Sequence, residues 1–254
     1  TDGSGVGDDA VGLLANRWGA YIANHAVTTR LGDGSIAGRN LIVARADGES
    51  VRMGNGVNGT HVNNNLIGTD RSGNHPRGNA PIGIKVQASQ TAITGNVIGA
   101  QETGIDIVNE SDWNAITSNL IGVGADGSSP IAGSGHGVHI RNIGNVNGAF
   151  PRYNGVGGLG AGQGNTIAHW GGNGIRVHRD IQFVAQPQAN HWRGNSIHSN
   201  GARLITATTT SIAFTENDQS GCGFIPPPCG ARTTAARWWS PPSAGTTGTR
   251  PPRR

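Results

Sequence analysis

The chain has 254 residues, of which 43 are Gly, 13% are charged and 5% are aromatic. That Gly share is more than twice the usual ~7%; lacking a strict three-residue period it excludes collagen, and it disfavours helices. The formal net charge of +4 comes from the C-terminal stretch: residues 219–254 hold five Arg and no acid, leaving 14 basic against 15 acidic residues in 1–218, so no nucleic-acid partner is expected for the folded part.

Thr1-Asp2 followed by Ser4-Gly5 matches Thr69-Asp70 followed by Ser72-Gly73. The chain is therefore expected to begin inside a corner loop of a repeating unit, with residues 1–16 as that loop. The first strand signal is the weak "GAYI" at Gly19, and Asn40-Leu41-Ile42 follows it. The next unit carries "SVRM" at Ser50 and Asn65-Leu66-Ile67, then the long insertion "TDRSGNHPRG". Clean copies follow: "GIKV" at Gly83, "AIT" at Ala92 and Asn96-Val97-Ile98, then "GIDI" at Gly104, "AIT" at Ala115 and Asn119-Leu120-Ile121. A second insertion, "GADGSSPIAG", enters at the same corner as the first, so both loops are expected to project from one edge. Beyond it lie "GVHI" at Gly137, Asn165-Thr166-Ile167, "GIRV" at Gly174 and Asn195-Ser196-Ile197.

Two anchors thus recur: Asn-x-Ile, and Gly followed by alternating apolar residues. The unit from Asn96 to Asn119 spans 23 residues and holds three short alternating segments separated by turn residues, the period of half-buried strands. The 46 residues from Asn119 to Asn165 are read as two units. The spacing predicts an all-β right-handed parallel β-helix, a solenoid of about eight coils of ~23 residues with three short strands per coil and corner loops. Ile42, Ile67, Ile98, Ile121, Ile167 and Ile197 should stack inside. Asn40, Asn65, Asn96, Asn119, Asn165 and Asn195 should occupy turns, where Asn tolerates left-handed backbone, and bond coil to coil as a ladder.

The segments "NLIGTD", "GGLGAGQGNTI" at Gly157 and "GGNGIRV" at Gly171 resemble bacterial right-handed parallel β-helix repeat proteins, of the pectate-lyase-like superfold, over residues 1–201. The resemblance implies an extracellular or cell-surface location and a polysaccharide partner. It does not choose between lyases, polygalacturonase-like hydrolases and non-catalytic adhesins.

The outward residue of each first strand reads Tyr21, Arg52, Lys85, Asp106, His139, Arg176 down the stack. These six form the candidate ligand-facing ladder, with Lys85, Asp106 and His139 adjacent, and His139 separated from Arg176 by a coil without an anchor. A hydrolase needs two carboxylates about the scissile bond, and Asp106 has no such neighbour. A lyase needs a cation against the uronate and a base for the α-proton, which Lys85, Arg52 and His139 offer an acidic sugar. The reading carried forward is a non-catalytic, glycan-facing structural or binding segment, with a lyase acting on an acidic glycan as the alternative. The nine His residues show no metal-ligand spacing, although His136 and His139 share a strand start. "GVGGLGAGQGN" lacks the Lys-Ser/Thr of a phosphate loop. No metal or cofactor is expected. Trp18, Trp113, Trp170 and Trp192 fall in turns and are expected to cover coil corners.

The solenoid is read over 1–205, with an irregular end at 206–218, because "ARLITATTTSIAF" lacks the glycine anchor. Residues 219–254, rich in Pro, Thr and Arg, read as a disordered linker-like tail or as a slipped reading frame. Cys222 and Cys229 in that stretch are spaced for a small disulfide loop.

Overall fold

The structure, a computed structural model, describes residues 16–143, 150–179 and 189–207. Among them there is no helix. The strands form three parallel sheets that wind as a right-handed parallel β-helix. Sheet A joins, in order, β1 (Ala20–Ile22), β4 (Glu49–Asn58), β7 (Ile82–Ser89), β10 (Thr103–Val108), β13 (His136–Asn142), β16 (Ile175–Arg179) and β19 (Ile205–Ala207). Sheet B joins β2 (Arg30–Leu31), β5 (His61–Asn63), β8 (Ala92–Thr94), β11 (Ala115–Thr117), β14 (Gly155–Gly157) and β17 (His191–Arg193). Sheet C joins β3 (Leu41–Ile42), β6 (Leu66–Ile67), β9 (Val97–Ile98), β12 (Leu120–Ile121), β15 (Thr166–Ala168) and β18 (Ser196–His198).

Like residues stack. Ile42 pairs with Ile67, Ile67 with Ile98, Ile98 with Ile121, Ile121 with Ile167 and Ile167 with Ile197. All six are buried in one core with Ile84, Val86, Ile105, Ile107, Val138 and Ile140 from sheet A. Each fully buried aliphatic side chain contributes about 1.5–3 kcal/mol. The glycine that opens the sheet A motif has a steric cause. A Cβ on Gly19, Gly83, Gly104, Gly137 or Gly174 would lie 2.3–2.8 Å from Cγ2 of Ile42, Ile98, Ile121, Ile167 or Ile197, respectively. The third strand of each of these coils closes against the first strand at that bare backbone.

The Asn ladder is continuous. The side-chain amides of Asn40, Asn65, Asn96, Asn119 and Asn165 each donate to Oδ1 of the next Asn at 2.8–3.1 Å. The same Oδ1 atoms accept the backbone N–H of the preceding ladder Asn at 2.9–3.1 Å. The second amide hydrogen of Asn65, Asn96, Asn119 and Asn165 reaches the sheet B carbonyl of the preceding coil. Both lone pairs and both hydrogens of Asn96 and Asn119 are therefore used, which is how a buried primary amide avoids a desolvation cost. One expectation is corrected. The ladder Asn residues are not left-handed; the residue before four of them is, at Asn64, Gly95, Ser118 and Gly194 with φ of 54°, 70°, 60° and 63°.

Three other expectations change. Leu120 and Ile121 pair directly with Thr166 and Ile167, so the 46-residue interval is one coil with a long insertion. The described residues accordingly make six complete coils and the first strand of a seventh, rather than about eight. Strand β19 pairs Ile205 with Ile175 and Thr206 with Arg176, so the solenoid crosses the boundary expected at 205, with Leu204 in the place of glycine. Trp170 and Trp192, expected over corners, are buried in the core at 0% and 1% exposure. Residues 1–15 and 208–254, with the expected first loop, the Pro/Arg/Thr-rich tail, Cys222 and Cys229, lie outside the described residues.

The two long corner loops explain the outward Leu of Asn-Leu-Ile. Each folds back through an antiparallel bridge, Thr69 to Pro76 and Val123 to Pro130. They also meet one another, Ala125 N–H donating to the Gly73 carbonyl at 3.0 Å and Asp126 N–H to Asn74 Oδ1 at 3.0 Å. Beneath them Ile131 packs on Leu66 and Val97 in a second apolar cluster on the outside of sheet C. Sheet C is therefore partly covered.

Candidate functional site

The β-helix register brings all six ladder residues into one column. Tyr21 pairs with Arg52, Arg52 with Lys85, Lys85 with Asp106, Asp106 with His139 and His139 with Arg176. The gap expected between His139 and Arg176 is absent, because the 46 residues from Asn119 to Asn165 make one coil and not two. At about 4.8 Å per strand the column runs roughly 24 Å along the axis.

Two carboxylates organise it. Glu49, at the start of β4, accepts from Arg52 Nη1 at 2.9 Å, faces Lys85 Nζ at 3.4 Å and accepts the Trp18 indole N–H at 2.8 Å. Asp106 accepts a two-pronged contact from Arg141, Nε at 3.0 Å and Nη2 at 2.9 Å. Arg141 lies two residues beyond His139 on the same outer face, and sequence spacing alone did not single it out. The carboxylates are the deeper members of these pairs. Side-chain exposure is 0% for Asp106 and 11% for Glu49, against 27% for Arg141, 26% for Arg52 and 16% for Lys85. The acids are covered, and the surface shown to solvent is cationic. Trp18 and Tyr21 close one end as a tilted pair with centroids 4.9 Å apart, and the Arg52 guanidinium lies 5.8 Å from the Tyr21 ring centre.

Three histidines crowd the other end. His136 and His139 meet edge to face at 5.1 Å, and His139 and His178 lie 6.4 Å apart. Burial, followed by the nearby charges of Arg141, His136, Arg176 and His178, pushes the His139 pKa down to about 2. Burial, then Arg176 and Arg141, also lowers that of His136. Both rings are neutral near pH 7. The His139 Nδ1 stands 4.0 Å from Asp106 Oδ1, and its buried Nε2 has no hydrogen-bond partner among the described residues. His136 Nδ1 accepts the Asn173 N–H at 3.0 Å, and its Nε2 lies 2.9 Å from Arg176 Nη1.

A second Asn ladder, not found from sequence, runs along the corner before sheet B. Asn114 and Asn154 donate to Asn154 and Asn190 Oδ1 at 2.9 and 3.0 Å. The residue preceding each rung is left-handed, including two aromatics, Trp113 with φ 61° and Tyr153 with φ 58°. Their rings stack at 4.3 Å and 11°, and Trp113 is 60% exposed. Among the described residues no group of three or more His, Cys, Asp or Glu is arranged to hold a metal ion, and no helix is long and apolar enough to cross a membrane.

Comparison with known proteins finds no matching family model, no matching curated protein and no matching solved structure.

Proposed function

We propose that this chain is a non-catalytic, glycan-binding segment of a larger secreted or cell-surface repeat protein of the bacterial β-helix type, and that it engages an acidic polysaccharide along the outer face of sheet A. The observation that carries the reading is the layering of charge: Arg52, Lys85 and Arg141 lie over carboxylates that are themselves buried. Buried acids hold the cations in fixed geometry without presenting negative charge to an approaching polyanion. Guanidinium groups suit planar carboxylates, which they grip with two parallel hydrogen bonds. The column follows the axis for about 24 Å, so a linear polymer lying along it meets several cations at once.

A lyase acting on the same face is less well supported. It would need Asp106 or His139 to reach a substrate proton, yet Asp106 is fully buried with both oxygens on Arg141, and His139 is 6% exposed. The test is equilibrium binding to polygalacturonate and to its fully methyl-esterified form, with ultraviolet detection of unsaturated ends in the same samples. The expected result is salt-sensitive binding of the acid form alone, weakened about tenfold by combined Arg52→Gln and Lys85→Gln, with no new chain ends. Equal binding of both forms, or no binding of either, rejects the acidic-glycan reading; accumulating unsaturated ends reject the non-catalytic one.

A further inference from the structure

We propose that the outer face of the fifth and sixth coils holds an oxyanion, a carboxylate or a sulfate group, seated against Arg176 and His136 and beside His139. The first observation is a conflict among donors. A neutral imidazole has one lone pair, and in His136 that pair lies on Nδ1, which accepts the Asn173 N–H at 3.0 Å. Nε2 then carries the proton, and it lies 2.9 Å from Nη1 of Arg176, a group with no acceptor of its own. Two N–H donors meet without an acceptor. An anionic oxygen lying against both accepts from both and removes the conflict.

The second observation is independent. The His139 side chain is 7% exposed, and its Nε2 is buried and unpartnered among the described residues. A buried polar atom left in that state costs about 1–3 kcal/mol. No carboxylate pairs with the His136–Arg176 contact or with His139 Nε2 among the described residues. Asp106 is committed to Arg141 through both oxygens. Glu102, whose backbone carbonyl accepts the His136 N–H, makes no ion pair among the described residues, and Arg176 has no carboxylate partner there. The charged and titratable groups facing the patch are therefore Arg141, Arg176, His136, His139 and His178, with Asp106 neutralising Arg141. The site rests on the glycan reading only for the source of its anion, a uronate or a sulfated sugar.

The test follows the imidazole resonances of the intact chain by NMR, titrating sodium sulfate and sodium glucuronate against sodium chloride at matched ionic strength. The expected result is a saturable shift of His136 and His139, absent with chloride, while His191 and His198 on the other sheets stay put. Arg176→Gln is expected to weaken that response about tenfold. Unmoved His136 and His139, or a linear drift equal to that of His191 and His198, overturns the proposal. Should Arg176→Gln fail to fold, the wild-type titration still decides. A saturable glucuronate shift in a chain that ignores polygalacturonate leaves this site standing and rejects the polysaccharide. Polymer binding that Arg176→Gln leaves intact, with silent imidazoles, rejects the site alone.

Discussion

Replacing Asn119 with Ala tests the ladder where it is most deeply embedded. The Asn119 Oδ1 accepts from the backbone and side-chain N–H of Asn96 at 2.9 and 3.0 Å. Its Nδ2 donates to the Ile93 carbonyl at 2.9 Å and to Asn165 Oδ1 at 2.9 Å. One side chain therefore ties three successive coils together, and all four contacts are buried. Truncation removes four hydrogen bonds at about 1 kcal/mol each, and the buried groups left behind find no substitute, so the loss is about 4 kcal/mol. Against a typical total of about 5–15 kcal/mol this is a large fraction. Asn40 supplies the internal control. It is exposed, and its side chain makes a single ladder bond to Asn65 Oδ1 at 2.8 Å, so Asn40→Ala should cost about 1 kcal/mol. Urea unfolding followed by far-ultraviolet circular dichroism measures both. A loss for Asn119→Ala within about 1 kcal/mol of that for Asn40→Ala would mean that the amide column is an accompaniment to coil stacking and not a cause of it.

Gly104→Ala places a Cβ 2.6 Å from the Gly137 carbonyl oxygen and 2.8 Å from Ile121 Cγ2, and thermal denaturation should register about 1–3 kcal/mol of overpacking. Gly127→Ala, at φ 76° with nothing within 4 Å of the added carbon, should lose only the left-handed penalty of about 1 kcal/mol. Acid should destabilise the fold through the histidine cluster. His139 is neutral when folded, with its pKa lowered from 6.5 to about 2, so below about pH 6.5 the unfolded chain binds the extra proton. Its contribution is complete above that pH and falls by about 1.4 kcal/mol per pH unit as pH drops towards 2; His139→Gln should flatten the slope of unfolding free energy against pH by that amount, read from urea midpoints between pH 7 and 5. Trp113→Gly should be close to neutral in the same assay, because relief of left-handed strain of about 1 kcal/mol offsets the lost ring stacking of about 1 kcal/mol, whereas Trp170→Ala should lose about 3–5 kcal/mol of core packing.

The core and the first ladder were legible because the same residue type must return wherever coils stack in register. Ile42 through Ile197 recur for packing, and Asn40 through Asn195 recur because an amide has both donors and acceptors to pass along. The second ladder escaped notice because Thr60 and Thr91 hold the early rungs, so Asn114, Asn154 and Asn190 look like ordinary turn residues. The interval from Asn119 to Asn165 reads as two coils because an insertion lengthens a corner without adding a strand, and interval length cannot distinguish the two. Leu204 hides the seventh coil by replacing the glycine that marks the others. At the candidate site the column itself could be read from the outward positions, but its charge layering could not. Arg141 reaches Asp106 across the strand direction, and Glu49 holds Arg52 on its own strand and Lys85 on the next; none of these contacts repeats from coil to coil.

The adjacency of His139 and Arg176 underlies the coil count, the continuous column and the oxyanion site alike. Nuclear Overhauser contacts between the backbone protons of these two residues test it most directly. The register here predicts strong contacts between them, matched by those between Asp106 and His139, as expected of parallel strands about 4.8 Å apart. Contacts from His139 to a strand drawn from the insertion between Asn142 and Asn165, with none to Arg176, would contradict the account.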